Sequence, residues 1–347
     1  MIKRHMARLL VFVIMFFSLQ SLSAGVVNPD ISALGSVLFT YQENLKHKFG
    51  LDLGEAEVQL DAALNPYAKG VFVLSLDKAG ISIEEGYLSL IHGLPSGLSL
   101  KAGKYRLGFG KLNPAHPHAY PFITAPAVLA AFLPGDDGFN DVAIQASYML
   151  PFKGTWASVI SADLLRGSVF HPDDDFFDPA VLYRWSNSFL IADSVPFEIG
   201  LSDTHGRNDT GTGSVTRIYG ADIKFKPRIS PLAVLVLQSE FFGSAGTVTE
   251  LVTDKVIKDN RTGFYIFADL NLSGFYNGGA LYERFQSPAN NGKFTQNVRI
   301  FAGWSLMEET TLFRLMYEYS MPPNSRPVNS CTLQVMFSMG PHKAHQY

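Results

Sequence analysis

Between Glu55 and Leu64 the chain alternates without a break: Glu55, Glu57, Gln59 and Asp61 are interleaved with Ala56, Val58, Leu60 and Ala62. A period of two belongs to a β-strand, whose successive side chains leave on opposite faces. Carboxylates at every second position demand water on one face, while the other face demands an apolar medium. Asn65-Pro66 closes this run in a tight turn, and Tyr67 to Asp77 returns as a second strand.

Similar segments recur to the C-terminus. They predict sixteen strands, each near the roughly 9 to 11 residues of a tilted membrane-crossing strand. The strands are expected to begin near Ile31, Gly54, Tyr67, Ile81, Leu98, Phe139, Thr155, Ala180, Pro196, Val215, Leu232, Gly263, Phe275, Thr295, Thr311 and Cys331. Beyond the first few residues no run approaches the roughly 18 apolar residues of a spanning helix. The mean hydropathy is nevertheless slightly positive, so the apolar content is dispersed. Fourteen or eighteen strands are the alternatives, because the pattern is weak from Ala180 to Gly206.

The connections separate a membrane barrel from a soluble β-sandwich, in which the apolar faces would pack on a second sheet. Short turns at Asn65-Pro66, Gly93 to Gly97, Pro151 to Gly154, Pro227 to Pro231, Ser273-Gly274 and Met307 to Thr310 alternate with long polar segments. The long ones are Gln42 to Leu53, Phe109 to Gly138, Arg166 to Pro179, Arg207 to Ser214, Gly243 to Thr262, Gln286 to Phe294 and Pro322 to Ser330. One rim of tight turns and one of long loops is the layout of an all-β transmembrane antiparallel barrel with short periplasmic turns and long external loops. A sandwich has no reason to sort its loops by parity. Only the connection at Lys78 to Gly80 is shorter than this pattern expects.

The first residues point to export. Lys3, Arg4 and Arg8 precede the apolar run Leu9 to Phe17, and Ser21, Ser23 and Ala24 follow as small residues suited to cleavage. Residues 1–24 are therefore read as a signal peptide and 25–347 as the barrel. The lone Cys331 excludes an intramolecular disulfide. A net charge of -3 argues against a nucleic-acid partner.

The run LSLKAGKYRLGFGKLN, from Leu98 to Asn113, resembles a strand and following loop of outer-membrane porins related to the phosphate-selective porin group. NPDIS from Asn28, AHPHAYPF from Ala115, IYGADIKF from Ile218 and the ending GPHKAHQY are similar to an uncharacterised branch of the same proteins. The resemblance spans nearly the whole mature chain. It implies a barrel of the cell outer membrane in contact with the bilayer and lipopolysaccharide, and it leaves the solute open.

With the barrel, this predicts a porin-like channel for small hydrophilic solutes or ions, anion-preferring if basic residues line it, and a possible homotrimer. The alternatives are a closed-barrel receptor, a metal-binding surface protein and, further off, an outer-membrane hydrolase. No nucleophile elbow, HExxH or phosphate loop occurs, and Asp203 with His205 is the only suggestive pair for hydrolysis.

The longest connection, 109–138, contains the apolar stretch Thr124 to Leu133, which suits a short helix with Pro126 in its first turn. Such a stretch avoids water. It is expected to fold into the lumen and constrict it, as the third loop of general porins does, rather than to cover the mouth or a neighbouring subunit. Lys101, Lys104, Arg106 and Lys111 before it, with Asp136 and Asp137 after it, are the candidate constriction residues. His116 and His118, one proline apart, can share Zn2+ or Cu2+ if the loop turns their rings together and a further ligand comes from elsewhere. His342 and His345 form a second such pair, and Asp173 to Asp175 a loose Ca2+ or lipopolysaccharide-bridging candidate. No cofactor is otherwise expected.

Overall fold

A computed structural model describes residues 29–340 apart from 78–79, 136–137, 153, 172–177, 192–194, 209–213, 250–255, 287–291 and 307–309. The leader segment, Asp136, Asp137, Asp173 to Asp175, His342 and His345 thus lie outside the described residues.

The strands are β1 (Asp30–Gln42), β2 (Phe49–Asn65), β3 (Ala68–Asp77), β4 (Gly80–Leu90), β5 (Leu98–Arg106), β6 (Asn140–Leu150), β7 (Trp156–Leu165), β8 (Ala180–Ile191) and β9 (Val195–Arg207). They continue as β10 (Val215–Phe225), β11 (Arg228–Ser230), β12 (Ala233–Thr249), β13 (Val256–Leu272), β14 (Tyr276–Gln286), β15 (Phe294–Leu306), β16 (Thr311–Met321) and β17 (Val328–Met339). The three-residue β11 sits in the turn between β10 and β12, which pair directly, leaving sixteen long strands. Every neighbour pair is antiparallel, and β1 pairs with β2 on one side and β17 on the other. The sheet therefore closes on itself and has no free edge, the condition for β-structure in hydrocarbon.

Two strands start earlier than the alternation suggests, β2 at Phe49 rather than Gly54 and β13 at Val256 rather than Gly263. The early part of β13, through Lys258, Asp259, Asn260 and Arg261, is polar, yet its ladder with β12 continues. The turn between β13 and β14 needs positive φ at Ser273 (55°) and Gly274 (74°), the two-residue geometry whose twist matches a hairpin.

The faces are sorted. Along β15, Asn297, Arg299 and Phe301 are buried, while Val298, Ile300, Ala302 and Trp304 are exposed. Outward residues are large and apolar even in mid-strand, Ile144 being 61% exposed and Ile300 58%. A closed wall with this much exposed apolar surface is stable only against lipid, and it makes the chain an outer-membrane-type barrel. Near the rim of short turns the outward aromatics gather, with Phe152 stacked on Trp156 at 4.0 Å and Phe189 tilted against Phe197 at 4.8 Å. Trp185 Nε1 donates to Ser158 Oγ (2.9 Å) and Trp156 Nε1 to Asn187 Oδ1 (3.2 Å), so the ring belt also satisfies polar groups on the lipid side.

Candidate functional site

The connection between β5 and β6 turns inward at a neck held by Asn113. Its Nδ2 donates to Leu107 O (2.7 Å) and Phe139 O (3.0 Å), and its Oδ1 accepts from Phe139 N (2.9 Å). From this neck Phe109, Leu112, Tyr120, Phe122 and Ile123 are buried among inward-facing wall residues. Phe122 lies edge-on to Phe267 of β13 and Phe301 of β15, with centroids 5.4 and 5.5 Å away. The stretch TAPAVLAAFL then forms the helix α1 (Ala127–Phe132), preceded by Pro126 and burying Val128, Leu129 and Phe132. Burial of this apolar face removes it from water at about 25 cal/mol per Å2.

A buried loop must find partners for its backbone groups, and the wall provides them. Arg299 Nη1 donates to Thr124 O (3.0 Å) and Ala125 O (2.9 Å), Arg314 Nη2 to His118 O (2.8 Å) and Asn277 Nδ2 to Pro121 O (3.1 Å). Glu283 Oε2 accepts from Val128 N, and Glu240 Oε1 accepts from the N–H groups of Lys111 (2.8 Å) and Leu112 (2.9 Å). None of these wall residues except Glu240, Arg299 and Arg314 stands out in the sequence even as an inward charge. Their role depends on a loop distant in the chain.

The basic residues ahead of the loop do not form one ladder. Lys101 Nζ lies 3.8 and 3.9 Å from the ring centroids of Tyr87 and Tyr105, held by cation–π attraction. Arg106 binds Glu84 through Nε (3.0 Å) and Nη2 (2.7 Å). Lys111 Nζ pairs with Glu198 of β9. Lys104 is a correction: an odd number of residues from Lys101, opposite outward Gly86, it faces outward and donates to Ile83 O at 2.8 Å. Period two in β5 excludes Lys101 and Lys104 from a common face. Beside Lys111 lies a cavity of about 450 Å3, bordered also by Glu198, Lys224, Gln238, Asp269 and Tyr120.

On the opposite wall His116 and His118 stack with centroids 5.5 Å apart. His118 Nδ1 lies 3.0 Å from Glu55 Oε1, and His116 Nδ1 lies 3.3 Å from Glu57 Oε1. His116 Nε2 reaches Glu85 Oε2 at 3.4 Å. Burial works against a charge on His116, yet its hydrogen bonds to Glu57 and Glu85 outweigh it and push the imidazole up to about 10. Two β-bulges deliver these acids. In β2 the register against β1 shifts between Gly35 and Val37, and this turns Glu55 inward beside Glu57 after outward Leu51 and Leu53. In β4 the shift between Val73 and Leu74 leaves Glu84 as the extra residue beside inward Glu85. Two adjacent acids in a strand are a bulge signal legible in the sequence. A Cβ at Gly54 would stand 2.4 Å from Ser36 Oγ, so any larger residue at the first bulge would have to displace that hydroxyl.

In the Asp203–His205 pair, Asp203 is bound by Arg217 Nε (2.7 Å) and Nη2 (3.3 Å) on the outward face.

No family model matches the chain. An uncharacterised protein of Aquifex aeolicus (strain VF5) is 32% identical over 123 residues, which are 35% of this chain and 25% of that protein's length. Solved structures match nearly end to end. OmpF of Salmonella typhi in complex with daunomycin aligns with a TM-score of 0.64 at 8% identity, covering 90% of this chain and 97% of that one. A loop-deletion mutant of OmpT of Vibrio cholerae gives 0.63 at 11% (91% and 100% covered). The anion-selective porin of Comamonas acidovorans gives 0.60 at 11% (90% and 100% covered). At such identity the likeness is one of fold.

Proposed function

We propose that the protein is an outer-membrane channel through which small hydrophilic solutes diffuse, narrowed by the loop 109–138. One observation carries this reading: an apolar loop segment packs on the inner wall and leaves beside it a cavity bordered by charged and amide side chains. A barrel serving only as an anchor has no need of a polar interior cavity. Fold likeness to porins supports the same reading.

Ion preference rests on the few charges that border the cavity. Lys111 pairs with Glu198, and Asp269, held by Asn271 (2.7 Å) and Asn277 (2.9 Å), borders the same cavity as Lys224. The two lysines and the two carboxylates balance, so no net ion preference follows from them; phosphate selectivity has no support beyond the sequence resemblance. Association in threes, as in the trimer form of Vibrio cholerae OmpT, belongs to the same proposal. An outward apolar groove bordered by Leu60, Leu64, Phe72 and Leu88 as well as Gly70 and Gly86 is a surface on which another barrel could seat.

Planar-bilayer recording of the purified chain tests the channel. Discrete conductance steps are expected, larger after deletion of Thr124 to Leu133. A parent protein that inserts and folds without conducting would instead be a closed receptor-type barrel.

A further inference from the structure

We propose that Glu55, Glu57, His116 and His118 form a binding site for one divalent transition cation of the zinc class, which pins the loop to the barrel wall. The site does not depend on whether the lumen conducts.

Geometry is the first argument. Each of the four residues offers a donor atom, and these atoms all lie within 4.8 Å of one another. Metal bonds of about 2.0–2.1 Å in a tetrahedron place donors about 3.3 Å apart. Here His118 Nδ1 and Glu55 Oε1 are 3.0 Å apart, His116 Nδ1 and Glu57 Oε1 3.3 Å, and His118 Nδ1 and Glu57 Oε2 3.7 Å. The other separations run to at most 4.8 Å, so the donors draw in by up to roughly 1.5 Å to close on an ion.

The donor set is the second. Two imidazole nitrogens with two carboxylates suit Zn2+ and its transition-metal neighbours, whereas Mg2+ and Ca2+ favour oxygen alone. Around the donors stands the supporting layer that metal-binding histidines use to fix ring orientation. His116 turns Nδ1 to the site and Nε2 to Glu85 Oε2, and Glu85 Oε1 in turn accepts from the backbone N–H of Arg106 at 2.7 Å. Arg106 also holds Glu84, and Arg314 holds the carbonyl of His118.

Charge and exposure complete the case. Glu55, Glu57, Glu84 and Glu85 crowd around the two histidines, with the Arg106 guanidinium on Glu84. A dication bound among them would keep the same carboxylates paired. The side chains of Glu55, Glu57, His116 and His118 are 16, 7, 15 and 5% exposed, so the site is sheltered, with Glu55 and His116 the most accessible of the four.

Calorimetry on the untagged, refolded and chelator-stripped chain tests the site, with Zn2+ as probe and folding checked by heat-shifted electrophoretic mobility. One saturable micromolar site per chain is expected. It should weaken at least tenfold in His116→Ala/His118→Ala and in Glu55→Gln/Glu57→Gln, and persist in His342→Ala/His345→Ala. Co2+ added to the parent needs no variant and should give the intense visible absorption of four-coordinate nitrogen–oxygen ligation, displaced by Zn2+. No saturable site in the parent, survival of the site without both loop histidines, equal competition by Mg2+, or a weak all-oxygen Co2+ spectrum would each overturn the proposal.

Discussion

Glu283 projects from β14 with no solvent exposure, and its Oε2 accepts a hydrogen bond of 2.9 Å from the backbone N–H of Val128, 155 residues earlier in the chain. Pro126 leaves the first turn of α1 without a capping side chain of its own. The wall carboxylate takes that place, favoured by the partial positive charge of a helix start. Asn297 Nδ2 (2.8 Å) and Arg299 Nη2 (3.2 Å) hold its other oxygen.

Replacing Glu283 by Ala therefore leaves Arg299 buried with one partner fewer and the helix uncapped. Breaking a buried pair costs about 3–5 kcal/mol, and the expected outcome is a lower midpoint in urea with larger, noisier conductance steps as the loop loosens. Unchanged conductance in a folded variant would mean that the loop does not narrow the path.

Phe122 is wholly buried between Phe267 and Phe301. Phe122→Ala should cost about 3–5 kcal/mol at that contact. Because the barrel ladder is separate, the loss should appear as faster protease cleavage within 109–138 rather than as unfolding of the wall. Time-resolved digestion in detergent, followed by mass spectrometry, reads the two apart.

The two faces are tested by neighbours in β6. Ile144 points to lipid, while Gln145 points inward, where its Nε2 donates to Asp163 Oδ1 at 2.9 Å. Arginine at 144 should cost about 2–4 kcal/mol if the position lies near the bilayer centre, and arginine at 145 much less. Unfolding in liposomes compares them, and equal costs would contradict the face assignment.

Selectivity separates the lysines. Lys224→Gln and Lys111→Gln remove charge beside the cavity and should move the reversal potential in a salt gradient toward cation preference. Lys104→Gln removes an outward charge and should leave it unchanged. A response to Lys104 as large as to Lys224 would place the conducting path elsewhere.

The order and number of strands, their two faces and the sorting of connections by length were legible in the chain, because β-structure in a bilayer imposes a period of two and a closed, even-numbered array. Arg314 and Glu318 inward with Leu315 and Tyr317 outward follow from that period alone. Local pattern also marked Thr124 to Leu133 as a segment that avoids water and His116 with His118 as a pair in want of further donors. Tertiary structure decided what meets them. Glu283 and Arg299 reach the loop across more than 150 residues, and Glu55 and Glu57 face inward in the same strand whose Leu51 and Leu53 face outward because a bulge at Gly54 inverts the phase of β2. Alternation specifies the face of a strand residue only until a bulge resets it. Which loop atom that residue then meets is set by barrel closure, which brings distant segments together without leaving a trace in either local pattern.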